Sequence, residues 1–230
     1  MLYSMPTNVI SFFVLGVSIT LFGMRGLFLY SRQKTPLILY FGLGAILGGI
    51  SALMYSVPFV FTHVESTLKI TTIIGDFFYY AAIIVMTRLI WYLGFNKKVN
   101  YLWVLIPYLI TIAGAFISSI YYLPSINYVF SDGSVTYPVP MVASWFFAAM
   151  SSAFVFVGLL TIFSARHITV ATQRVRLYLI GSAFLVGGVL AIINFLFSHG
   201  SNTSLFGIAG YVIVALTLFV GIFIISRNKS

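Results

Sequence analysis

The sequence predicts an all-α membrane protein. The expected architecture is a seven-transmembrane helix bundle with the N-terminus outside and the C-terminus in the cytoplasm. A small β-hairpin is expected in the outer loop between the fourth and fifth helices. Three observations predict this. Of 230 residues, 61% are apolar and only 7% charged, whereas soluble domains carry about 25% charged residues. The apolar residues fall into runs of the roughly 20 residues needed to cross a hydrocarbon core. The basic residues recur in every second connection between those runs.

Seven runs meet the length requirement: 8–30, 36–61, 69–94, 101–121, 138–164, 175–198 and 204–226. The first has no basic segment before it and no small-residue cleavage site after it. It therefore reads as a retained span and not a signal peptide. A β-barrel is disfavoured, because the runs far exceed about 10 residues and do not alternate. The one long outer connection follows the fourth run. It reads Asn127-Tyr-Val-Phe, then Ser131-Asp132-Gly133-Ser134, then Val135-Thr-Tyr-Pro138. Asp-Gly between β-branched and aromatic residues is a strong hairpin signal. The hairpin either lids an outward pocket or only covers helix ends.

Orientation follows from the loops. Arg32 and Lys34, Lys97 and Lys98, then Arg166, Arg174 and Arg176, and finally Arg227 and Lys229 all fall on one side. The opposite loops contribute only Lys69. Arg25 and Arg88 lie inside spans toward the basic end, where long cationic side chains snorkel to the interface. The positive-inside pattern places the chain N-out and C-in, in the plasma (cytoplasmic) membrane. The net charge of +9 is thereby explained by topology. Nucleic acid is excluded as a partner, and the lipid bilayer is the expected surrounding. Arg25, Arg88, Lys97, Lys98, Arg166, Arg174 and Arg176 are the candidate contacts for lipid or a partner at the inner face.

Glycines mark a further pattern. Gly42, Gly48, Gly49 and Ala52 of the second run each stand 139 residues before Gly181, Gly187, Gly188 and Ala191 of the sixth. This suggests two parallel three-helix units, spans 1–3 and 5–7, joined by span 4. Convergence is the competing account, since membrane helices use small residues to approach closely.

Asp76 is the sharpest candidate for chemistry. It is the one acidic residue inside an expected span, about 10 Å below the outer end of the third. An intramembrane carboxylate costs several kcal/mol unless paired, hydrated or protonated, so it marks a functional site by default. Tyr80 follows one turn later with Tyr79 alongside, and tyrosine hydroxyls can hydrogen-bond a carboxylate. Asn194, a polar residue in the sixth run, could line the same cavity. Asp76, Tyr79, Tyr80 and Asn194 form the candidate ligand-binding set for an outer-side small molecule.

Much chemistry is excluded. No cysteine is present, which removes disulfides and thiolate catalysis. His63, His167 and His199 show no i, i+4 pairing, so no metal site is expected. Retinal is disfavoured, because the seventh run holds no lysine for a Schiff base; no cofactor is expected. Intramembrane aspartyl proteolysis needs two carboxylates, and only Asp76 qualifies. Zinc-protease, nucleophile-elbow and phosphate-loop motifs are missing. A lipid-modifying enzyme ranks third among the functions considered, for want of a catalytic pair.

The layout resembles the seven-helix membrane-sensing region at the N-terminus of some bacterial histidine kinases. The resemblance rests on the N-out start, the basic turn Ser31-Arg-Gln-Lys34, the long outer segment before the fifth span, and the stretch Gln173-Arg174 through Tyr178-Leu-Ile-Gly181. It implies a sensor or receptor-like module, here without a kinase part, that signals through a cytoplasmic partner. The alternative is a small-solute transporter with a 3-1-3 helix repeat. That layout is similar to the sugar-carrier family with Pro-Gln loop motifs, although this sequence has no Pro-Gln dipeptide.

Overall fold

A computed structural model of the chain describes residues 7–62, 64–95, 98–122, 129–131, 134–136 and 141–197. Helices α1 (Thr7–Gln33), α2 (Pro36–Met54), α3 (Pro58–Phe61), α4 (Glu65–Gly94), α5 (Tyr101–Tyr122), α6 (Met141–Ala165) and α7 (Ala171–Phe197) make up nearly all of it. Six spans among the described residues are long and apolar enough to cross a membrane, α2 and α3 together making one. The expected seventh run, 204–226, lies outside the described residues, as does Lys97. In the connection after α5, β1 (Val129–Ser131) pairs antiparallel with β2 (Ser134–Thr136), Phe130 standing opposite Val135. β2 lies against α1. The intended turn residues 132–133 lie outside the described residues.

The expected boundaries shift where local chemistry overrides apolarity. The second span is not one helix: α2 ends at Met54, a turn follows, and Pro58 opens the short α3. Proline tolerates a first helical turn but breaks an interior one. The third span starts at Glu65, four residues before the apolar run, because Glu65 and Lys69 pair across one turn at 2.9 Å. An acidic first residue also suits the positive end of the helix dipole. Glu65 is therefore the first residue of α4 and not part of an outer loop. Similarly, α7 starts at Ala171 and carries Arg174 and Arg176 in its first turns. α6 starts at Met141, immediately after Pro140.

Consecutive spans run antiparallel, as their contacts show. Gly16 meets Gly49 and Gly23 meets Gly42 across α1 and α2. Tyr55, just past α2, meets Asp76 of α4. Thr87 of α4 meets Tyr101 of α5, and Tyr108 of α5 meets Ser152 of α6. Arg32, Lys34, Lys98, Arg166 and Arg174 therefore gather at one end of the bundle. α4 is the central helix and packs against α2, α5 and α6. Its Ile83, Met86 and Leu89 are fully buried.

The two outer helix pairs share one contact register. Lipid tails are as apolar as leucine, so close backbone packing must hold such pairs together. A methyl built on Gly42 would stand 3.0 Å from the Leu27 nitrogen and 3.1 Å from the Gly23 oxygen. On Gly181 it would stand 3.1 Å from the Ile162 nitrogen and 2.9 Å from the Gly158 oxygen. Gly49 meets Thr20 as Gly188 meets Val155, and Gly23 meets Ile46 as Gly158 meets Leu185. In every case the first helices are 135 residues apart and the second helices 139. α1–α2 and α6–α7 are thus the same packing solution, with a connection four residues longer in the second pair.

Substituting Gly158 by Ala is expected to destabilise the bundle by about 1–3 kcal/mol, because the added carbon would stand 2.5 Å from the Leu185 backbone nitrogen. Gly23→Ala should cost about the same, its carbon standing 2.7 Å from the Ile46 nitrogen. Gly48→Ala should be tolerated, since nothing lies within 4 Å of its added carbon. Unfolding titrations in mixed micelles would measure all three.

Candidate functional site

The site is built from the outer half of α4 inward. Asp76 is half-buried and lies eleven residues into its helix. Its partner is the Tyr55 hydroxyl, which donates a short hydrogen bond to Asp76 Oδ1. Tyr55 stands where α2 has ended, with its ring edge-on to Phe12 of α1 at 6.1 Å. The interruption of the second span before Pro58 thus presents the phenol at the depth of the carboxylate. Around the pair, Gly75 leaves room: a side chain there would press on the Tyr55 ring at 3.0 Å.

Neither tyrosine expected to hold Asp76 does so through a direct hydrogen bond. The Tyr79 hydroxyl pairs with Ser151 Oγ of α6 at 2.7 Å, and Ser151 also donates to the Phe147 carbonyl at 2.8 Å. The Tyr79 ring is enclosed by Phe147, Phe154 and Phe195. Tyr80 is buried against α6, stacked on Phe147 at 5.9 Å. Helix geometry explains the difference. Asp76 and Tyr80 share a face, but a phenol projects away from its own helix, and the neighbouring helices supply its surroundings. Asn194 is half-buried on α7 and does not line the cavity described next.

A cavity of about 150 Å³ lies between the pairs α1–α2 and α6–α7, floored by Tyr79 and Met86 of α4. Its walls come from matched positions. Gly44, Ala45, Gly48 and Ala52 on α2 face it, and so do Ala183, Phe184, Gly187 and Ala191, each 139 residues on. Tyr55 lines the cavity and Asp76 does not. The carboxylate therefore reaches the cavity through the Tyr55 phenol. The remaining polar lining group is Ser51, 2% exposed. The arrangement can hold an apolar body and report its arrival to a buried carboxylate through one hydrogen bond.

At the basic end, Arg88 lies over the Tyr101 ring at 3.6 Å, and the Tyr101 hydroxyl pairs with Thr87 at 2.8 Å. Arg25 and Arg32 both lie over Phe28, at 5.7 and 4.5 Å, and Arg166 over Phe163 at 4.8 Å. Arg174 and Lys98 are exposed and Arg176 is half-buried. These cations are spread over the bundle end and do not converge on one point.

The chain matches no protein-family model and no curated protein sequence.

Removing the Tyr55 hydroxyl by Tyr55→Phe leaves Asp76 without its donor, a loss of about 1–3 kcal/mol for an unsatisfied buried group. Asp76→Asn keeps an oxygen that accepts from Tyr55 and is expected to cost less. In the double variant the Tyr55→Phe penalty should largely disappear, and a double-mutant cycle by micelle unfolding would read that coupling.

Proposed function

We propose that the protein is a stand-alone, receptor-like membrane module. It binds a small molecule between its two helix pairs and passes the change to a partner at its basic end. The observation that carries this reading is the Tyr55–Asp76 hydrogen bond at the rim of an otherwise apolar cavity. A ligand that moves Tyr55 alters the satisfaction of a carboxylate on the central helix. That helix also carries Arg88, twelve residues and about 18 Å further along its axis. Small shifts of packed helices are an established switching device. The basic end faces the cytoplasm under the positive-inside rule, and the β1–β2 ribbon then covers the outer face as a lid.

A second reading, small-solute transport, is favoured by one observation. The cavity is walled by equivalent positions of two helix pairs with a common register. Transporters built from repeats place their substrate at such an interface near the bilayer midplane.

Native mass spectrometry of the gently extracted protein is expected to retain a small-molecule adduct. In this cysteine-free chain, a spin label at Lys98→Cys should report a mobility change when that molecule is added. The change should vanish in Asp76→Asn, and an equal response in that variant would sink the relay. Flux of the same molecule into proteoliposomes, above that into empty liposomes, would shift the reading to transport.

A further inference from the structure

We infer that the ligand of this cavity is an uncharged, ring-sized apolar molecule bearing one hydroxyl, and that Ser51 is the residue that selects the hydroxyl. The inference rests on the proposal that the cavity is the ligand site, and it names the ligand class. Size comes first. A cavity of about 150 Å³ matches the volume at which an apolar protein cavity stays dry and takes up benzene. Polarity comes second. Three hydroxyls line the space, and two are already engaged: Tyr55 with Asp76, and Tyr79 with Ser151. The Ser51 hydroxyl faces the Tyr55 phenol but closes no hydrogen bond of its own. A serine in a helix commonly satisfies itself on the carbonyl one turn back, as Ser56 does on Ala52 at 2.9 Å. Ser51 does not, and a buried hydroxyl left unmade costs about 1–3 kcal/mol.

A lone water does not answer that need well. A stable buried water makes two to four hydrogen bonds, and the walls around Ser51 are glycine, alanine and phenylalanine. A ligand hydroxyl can give and take one bond with Ser51 while its carbon body fills the apolar space. A charged ligand is excluded, because Asp76 is screened behind Tyr55 and nothing else in the lining would pair with it. Gly48, one turn before Ser51, makes room for that body: no atom lies within 4 Å of where its side chain would begin.

The test uses the full chain in lipid nanodiscs and two isosteric probes, 4-fluorobenzyl alcohol and 4-fluorotoluene, followed by fluorine NMR. Both probes partition into lipid, so Gly48→Leu, which fills the cavity without meeting other atoms, is the reference. Wild type is expected to show a site-bound signal that Gly48→Leu lacks. The alcohol should bind about fivefold tighter than the toluene, the value of one ordinary hydrogen bond. Ser51→Ala should keep toluene binding and erase the preference. Identical spectra for wild type and Gly48→Leu with both probes would overturn the inference, and would leave the space to a bilayer acyl chain or to the chain itself. A preference unchanged in Ser51→Ala would overturn the role of Ser51. A charged or polyhydroxylated adduct in the mass spectrum would overturn the ligand class and leave the receptor reading standing. Probe binding with no response at the Lys98 label would do the reverse.

Discussion

In lipid, helices gain nothing by hiding leucine from leucine, so the bundle depends on how closely its backbones can meet. In this protein that approach is made at a few glycines. Gly23 and Gly42, and again Gly158 and Gly181, bring antiparallel helices so close that a methyl group would collide with backbone atoms. These contacts set the register of α1 against α2 and of α6 against α7. The placement of every side chain on the inner faces of those pairs follows from them.

The same glycines create the cavity. A helix face made of Gly44, Ala45 and Gly48 has little to fill the space in front of it, and the matching face of α7 has the same deficit. Where two such faces oppose each other, bulk comes from one aromatic, Phe184, which packs against Phe22, Phe41 and Phe154. Close packing within each pair and a void between the pairs are therefore two results of one composition. The polar groups then fall where helices end or break. Tyr55 is free to turn toward α4 because α2 has stopped before Pro58.

Much of this was legible without coordinates. The six described spans follow the apolar runs closely, and their ends move only where Pro58, Pro140, the Glu65–Lys69 pair or the polar start of α7 intervenes. Asp76 stood out because a carboxylate is rare and costly in such surroundings. Tyr55 was missed as its partner, although a depth argument would have found it. The second run ends six residues past Tyr55, and the third starts seven residues before Asp76. In antiparallel spans those positions lie at nearly the same height. Tyr79 and Tyr80 were chosen for nearness in sequence, yet their hydroxyls and rings answer to α6.

The sequence by itself determined the spans, their alternation and the gathering of cations at one end. These depend on length and on the cost of polar groups in hydrocarbon, which are properties of each segment alone. It also held the glycine spacing that links α2 with α7. Only the tertiary structure decided which phenol meets Asp76, which hydroxyl stays unmade at Ser51, and that a cavity remains between the pairs. Those outcomes depend on helix rotation and on where one helix stops against another. Such quantities are set by contacts between segments far apart in the chain, and no single segment carries them.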